Sequence, residues 1–193
     1  VWLCLQRSAA VGAASPMGLL APRMAAITAR PVAAMPRPEV CAYVALGANL
    51  GDAVSAVRAA LDALARMDGL RLLRASSLYR SAPHDAQGPD FINAVAEVAT
   101  TLNAPALLQA LQLIEQAAGR KRPYRNAPRT LDLDLLFYGD ARIDSPTLTV
   151  PHPRWRERAF VLVPLAEIAP QRVPADVLAS VADQRIERLI RPA

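Results

Sequence analysis

The chain has 193 residues, 53% of them hydrophobic and 20% charged, enough apolar content to bury a core and to exclude disorder over most of its length. Against about 100–200 residues per domain, that length predicts one domain plus a tail. The net charge of +5 resembles a nucleic-acid footprint until it is divided. Arg7, Arg23, Arg30 and Arg37 give residues 1–38 four cations and no acid, which leaves 18 cations against 17 acids from residue 39 onward. The body is near neutral, so neither nucleic acid nor a membrane surface is an expected partner. No apolar run reaches the roughly 18–20 residues of a membrane span. Cys4 and Cys41 are the two cysteines; one lies in the tail, which excludes a disulfide framework and points to a reducing, cytoplasmic setting.

Residues 1–38 are rich in Ala, Arg, Ser and Pro and hold no sustained period, and Pro16, Pro22, Pro31, Pro36 and Pro38 interrupt any helix. Three readings stay open for this leader. One is an unfolded extension translated from upstream of the true start, since Met17, Met24 and Met35 lie inside it. Another is a transit peptide, which an Arg-rich, acid-free composition permits. The third is a secretory signal, which the lack of a clean apolar stretch disfavours.

The pattern changes at residue 39. CAYVALG (41–47) predicts a strand ended by Gly47, and Asp52 predicts the cap of a helix through Met67 with the stripe Val54, Val57, Leu61 and Leu64. Leu70–Arg80 and Pro89–Thr100 read as two strands. Asn103, with Pro105 just beyond, opens a second helix striped by Leu107, Leu108, Leu111 and Ile114 and stopped by Gly119. Leu131–Tyr138 alternates as a strand. The order β-α-β-β-α-β predicts an α+β, ferredoxin-like sandwich with helices on one face of an antiparallel sheet. A C-terminal extension follows, with a helix near 160–168 and a last helix at the C-terminus.

The strongest local signal is RTLDLDLLFY (129–138). In a strand, Asp132 and Asp134 share one face while Leu131, Leu133 and Leu135 take the other, with alternate Cα atoms roughly 6.5–7 Å apart. Two carboxylates so placed can share one magnesium ion or bridge two. The competing reading is an amphipathic strand with solvated acids, although Asp is a poor strand former. Just before it, GRKRPYRNAPR (119–129) sets Arg120, Lys121, Arg122, Arg125 and Arg129 in a non-helical loop with no acid. Such a loop repels itself until an anion arrives, and arginine forks match phosphate oxygens; a plain solvated loop, or pairing with the two aspartates, is the alternative. No P-loop or dinucleotide glycine motif is present. The stretch VPHPRWRERAF (150–160) adds His152, Arg154, Arg156 and Arg158 beside aromatics. With His84 and His152 the only histidines, a histidine-based zinc site is not expected.

YVALGANLGD, SSLYRSAP with PDFINAV, and above all PRTLDLDLLFYG followed by LTVPHP resemble the 6-hydroxymethyl-7,8-dihydropterin pyrophosphokinases of folate biosynthesis, from about Ala42 to Pro170. The resemblance implies a monomer that moves the β,γ-pyrophosphoryl group of ATP to the pterin hydroxymethyl oxygen and releases AMP. It implies two magnesium ions on Asp132 and Asp134, and action of Arg120 and Arg129 on the transferred group, with Arg122 and Arg125 as further loop cations. Gln112, Glu115, Thr149, His152 and Arg158 match ATP-site positions, and Leu135 would pack on the adenine. Phe91 and Phe160 would sandwich the pterin, Asn93 would read its amide edge, and Ser81 and Pro83 would line the pocket. Asn126 stands where relatives often carry an aromatic residue. A different class, a non-catalytic ferredoxin-like module binding RNA or a small ligand, is the second hypothesis. Its expected exposed aromatics are scarce in a chain that is 5% aromatic.

Overall fold

The computed structural model describes residues 37–83, 88–119 and 130–190. The leader through residue 36, His84 and the loop cations Arg120, Lys121, Arg122, Arg125 and Arg129, with Asn126, lie outside the described residues.

Strand β1 (Val40–Ala48) leads into helix α1 (Ala53–Ala65). Asp52 caps that helix by accepting from the Ser55 N–H at 3.0 Å, as its short acidic side chain before an apolar stripe predicts. Two short strands follow, β2 (Leu70–Ala75) and β3 (Tyr79–Ser81), and then the long β4 (Phe91–Thr100). Helix α2 (Ala104–Ala117) is capped by Asn103, whose Oδ1 accepts from the Ala106 N–H at 2.9 Å. Strand β5 (Asp132–Tyr138) and the two-residue strands β6 (Ile143–Asp144) and β7 (Thr149–Val150) precede helix α3 (Ala159–Ile168), the short α4 (Ala175–Ala179) and strand β8 (Ile186–Arg188).

The main sheet has the order β5-β1-β4-β3-β8, with β2 also on β4, and these neighbours pair antiparallel. Leu46, Val44 and Ala42 of β1, with Leu131, Leu133 and Leu135, pack against Val57 and Leu64 of α1 and Leu107 and Leu111 of α2. The opposite face of the same strands offers Tyr43, Val95, Leu136 and Phe137 to Val161, Leu162, Leu165 and Ile168 of α3. Helices therefore cover both faces of the sheet, which corrects the expectation of one. The sequence signal was β4 itself: nine of its ten residues are buried, and a continuous apolar run rather than alternation marks a strand covered on both sides.

Two further expectations change. Leu70–Arg80 is two strands, because at Ser76 the hydroxyl replaces the backbone carbonyl as acceptor: the Ser76 N–H still donates to the Val95 carbonyl at 2.9 Å, but the Val95 N–H donates to Ser76 Oγ at 3.0 Å. Ser side chains compete with the ladder in this way. The C-terminal segment ends as strand β8 rather than a helix, paired Tyr79 to Arg188 and Ser81 to Ile186; the free edge of β3 supplies a long-range partner that local pattern does not show.

A bulge interrupts the β1–β5 ladder: Val44 pairs with Leu135 and Tyr43 with Phe137, so Leu136 is the extra residue. It turns Phe137 onto the α3 side and Tyr138 onto the helix α1–α2 side, where the Tyr138 hydroxyl donates to the Leu102 carbonyl at 2.8 Å. Farther along that α3-side face, the buried Glu97 accepts from Tyr43 Oη at 3.1 Å, Cys41 Sγ at 3.2 Å and Arg74 Nε at 2.5 Å. Burial alone would push the Glu97 carboxyl up, but these donors outweigh it and hold the group below its ordinary range. Among the described residues, no helix is long and apolar enough to cross a membrane.

Candidate functional site

Ladder register assembles the site. Gly47 of β1 pairs with Asp132 of β5 on one side and with Asn93 of β4 on the other, and Asn93 pairs with Tyr79 of β3. Directly paired residues of antiparallel strands share a face. Asp132, Gly47, Asn93 and Tyr79 thus form one transverse row, and Asp134, Ala45 and Val95 the next. Asp132 and Asp134 point to the α3 side, as strand alternation predicts. Leu135 is only 3% exposed and belongs to the core on the opposite face. Its side chain is on the face opposite the carboxylates, as alternation predicts.

Glu115 fixes the start of β5. It is 3% exposed, and its Oε1 accepts from the Leu133 N–H, midway between the two aspartates, at 2.7 Å. That bond shows the Leu133 N–H turned away from β1, and by the ladder's two-residue period the Leu135 N–H is on the same outer edge. Gln112, three residues before Glu115 on α2, is exposed. Thr130, two residues before Asp132, holds a buried Oγ1 with no hydrogen-bond partner among the described residues.

The start of α3 closes over Asp134. Arg158 Nη1 lies 3.9 Å from Asp134 Oδ2, and the Arg158 guanidinium stands 5.4 Å from the Phe160 ring centre. Burial, then the Arg154 cation, pushes Arg158 below its ordinary range, while Asp134 opposes the shift. The far C-terminal segment holds this corner: the Ala159 N–H donates to Gln184 Oε1 at 2.9 Å, and Gln184 Nε2 donates to the Glu157 carbonyl at 2.8 Å. An isolated glutamine 25 and 27 residues from its partners carries no local signal, and sequence reasoning missed it.

Thr149 lies on β7, next in the chain to the turn that carries His152. The His152 N–H donates to the Leu136 carbonyl at 2.9 Å, and His152 Nδ1 accepts from the Arg154 N–H at 3.2 Å. That assignment leaves the ring proton on Nε2. Burial pushes the His152 imidazole below its usual 6.5, with Asp134 opposing and Arg158 and Arg154 reinforcing, so the ring is neutral at pH 7.

Across the row, Asn93 is buried and its Nδ2 donates to Ser81 Oγ at 2.9 Å. Phe91 pairs with Ser81 in the ladder, and Phe91, Phe160 and Pro83 are each half-buried. The structure thus brings Asp132, Asp134, Asn93, Ser81 and Phe91 to one end of one sheet face, and places Arg158 beside Asp134 with the Phe160 ring next to its guanidinium. A separate groove of about 880 Å³ at Val54, Arg58, Leu61, Leu78, Glu167 and Ile190 includes none of the sequence-predicted site residues. The chemistry, not the groove, locates the candidate site.

The donor set suits magnesium. Asp132 and Asp134 supply hard carboxylate oxygens on one face, Asp134 being 38% exposed at its side chain. Among the described residues no cluster of three or more His, Cys, Asp or Glu could cage a metal. A pair of carboxylates completed by water and phosphate is how magnesium is ordinarily held, whereas a full protein cage suits other ions.

Paired carboxylates set across a bare glycine from a buried amide suit an enzyme that joins a phosphate donor to a flat polar acceptor. Comparison with known proteins agrees: residues 43–170 match the family model of 7,8-dihydro-6-hydroxymethylpterin-pyrophosphokinase. The chain belongs to that family of transferases. It is 47% identical over 154 residues to the 2-amino-4-hydroxy-6-hydroxymethyldihydropteridine pyrophosphokinase of Pseudomonas aeruginosa, covering 76% of this chain and 95% of that one. The enzyme of the same name from Synechocystis is 46% identical over 145 residues, 74% of each chain. Among solved structures, an HPPK-DHPS in complex with substrates aligns with a TM-score of 0.61 at 13% identity, over 76% of this chain and 44% of that one. That likeness concerns the fold, and the chain spans less than half of that protein. Membership in a pyrophosphokinase family overturns the non-catalytic RNA or ligand module as a reading of this sheet.

Proposed function

We propose that the protein transfers the intact β,γ-pyrophosphoryl group of ATP to 6-hydroxymethyl-7,8-dihydropterin, in the cytoplasm and as a monomer, in folate biosynthesis. The observation that carries this reading is the row in which Asp132 and Asn93 face the same space across Gly47. The hydroxymethyl oxygen attacks the β-phosphorus and the bond from that phosphorus to the α,β-bridging oxygen breaks. AMP leaves with the bridging oxygen, and the hydroxyl proton passes to solvent. Two magnesium ions held by Asp132 and Asp134 would neutralise phosphate charge when bound.

The remaining work is positioning and charge neutralisation by this chain. Arg120 and Arg129 act on the transferred group, and Arg122 and Arg125 add loop cations. Arg158 and the Nε2–H of His152 donate to phosphate oxygens; Gln112, Glu115 and Thr149 complete the nucleotide site. Leu135 packs on the adenine. Phe91 and Phe160 stack on the pterin, Asn93 reads its amide edge, and Ser81 and Pro83 line the pocket. The element order with strand order β5-β1-β4-β2/β3 supports a ferredoxin-like βαββαβ core, and residues 39–193 form the pyrophosphokinase domain without need of the leader. Incubation with ATP, magnesium and the pterin tests the reading: AMP and the pterin diphosphate form in equal amounts, and release of ADP instead refutes it.

A further inference from the structure

We infer that Gly47 is a specificity-determining residue, whose missing side chain makes room for the hydroxymethyl arm of the pterin between Asn93 and the carboxylate pair. The inference rests on the pterin pocket proposed above.

Nothing in the fold requires a glycine at this position. Gly47 sits inside the nine-residue strand β1, paired on both sides, and it is not among the glycines with positive φ. Any residue can adopt its backbone conformation. A Cβ built there meets Asn93 Oδ1 at 3.4 Å, an ordinary contact, and no other atom of the described residues within 4 Å. Glycine inside a strand costs stability relative to alanine, because it gains no side-chain packing and loses more backbone freedom on folding. Such a glycine marks a bulge, a tight bend or the close approach of another group, and the bulge in this ladder falls at Tyr43 and Val44, away from Gly47.

The row shows which group that is. Asp132 and Asn93 are on strands two apart, with Cα atoms about 10 Å from each other at the ordinary strand spacing. Asn93 Nδ2 is bonded to Ser81 Oγ, which holds its amide plane and leaves Oδ1 turned to the space above Gly47. A ring read by Asn93 must extend its reactive arm over Gly47 to bring oxygen to phosphate held at Asp132. The neighbouring position on this face of β1, Ala45, is also small and pairs with Asp134. A methyl group on residue 47, in contact with Asn93 Oδ1 at 3.4 Å, narrows that path.

Binding of two ligands to three proteins tests this. The ligands are 6-hydroxymethyl-7,8-dihydropterin and 7,8-dihydropterin lacking the 6-substituent, titrated calorimetrically in the presence of a non-hydrolysable magnesium–ATP analogue. Gly47→Ala is expected to weaken the hydroxymethyl compound tenfold or more, to bind the unsubstituted compound within twofold of the wild type, and to melt at the same temperature or higher. Equal loss for both ligands, unchanged affinity for both, or a clear fall in melting temperature each overturns the inference. Asn93→Ala separates the two levels of the reading. If it weakens both ligands while Gly47→Ala weakens neither, the pocket stands and the role of Gly47 falls; if it weakens neither, the pocket assignment falls and takes this inference with it.

Discussion

Glu115 offers a sharp test of how the site is held, because its side chain binds the protein's own backbone as well as belonging to the nucleotide site proposed above. It is 3% exposed and accepts the Leu133 N–H at 2.7 Å. Replacing it with alanine leaves that N–H buried without a partner, which costs about 1–3 kcal/mol. Taking about 2 kcal/mol, and about 2–4 °C per kcal/mol for a chain of this size, melting falls by about 4–8 °C. Glu115→Gln keeps an oxygen at the same reach, so its loss is less than half as large. Thermal unfolding followed by far-ultraviolet circular dichroism, with no ligand present, measures both. A residue serving only the nucleotide would leave the ligand-free protein untouched. If Glu115→Ala melts within 1 °C of the wild type, the bond to Leu133 does not position β5 and the reasoning fails.

Asp132→Ala and Asp134→Ala should each lower turnover by several orders of magnitude while melting stays near that of the wild type, since both are half-exposed site groups; near-normal turnover with magnesium present would reject their role. Arg120→Ala and Arg129→Ala should slow the chemical step in single-turnover experiments more than they weaken equilibrium ATP binding, as expected of contacts made mainly in the transition state. Glu97 adds a pH signature. Its folded carboxyl lies below the ordinary 4.5, so its contribution is present above that value and lost as pH falls through the folded pKa. The melting gap between wild type and Glu97→Gln should accordingly be largest near pH 7 and shrink as the pH is taken down through the folded pKa, below 4.5. A chain beginning at Pro36 should melt with the full chain, because the core residues named above all follow Val40.

Local pattern revealed the elements that carry the site and little about what surrounds them. Asp52 and Asn103 announced their helices because capping is a contact within three residues. The facing of Asp132 and Asp134 followed from alternation alone, which holds up to the bulge at Leu136. What could not be read depends on distant partners. Ser76 splits an apparent strand only because Val95 is beside it, Ile186–Arg188 is a strand only because β3 has a free edge, and Gln184 caps α3 from far along the chain.

The extra residue at Leu136 separates β5 into two half-strands with independent facing. Up to Leu135 the strand obeys the needs of chemistry, with carboxylates on one side and leucines on the other; from Phe137 it obeys those of packing, with Phe137 against Trp155 at 5.0 Å. Were the ladder continuous, a strand that kept both aspartates in place would drive Phe137 into the layer beneath α1 and α2 and swing Tyr138 away from Leu102. The bulge thus insulates the two halves. Changes in the aromatic layer under α3 can accumulate without rotating the carboxylates, and the metal-binding end of the strand can be tuned without repacking the far end.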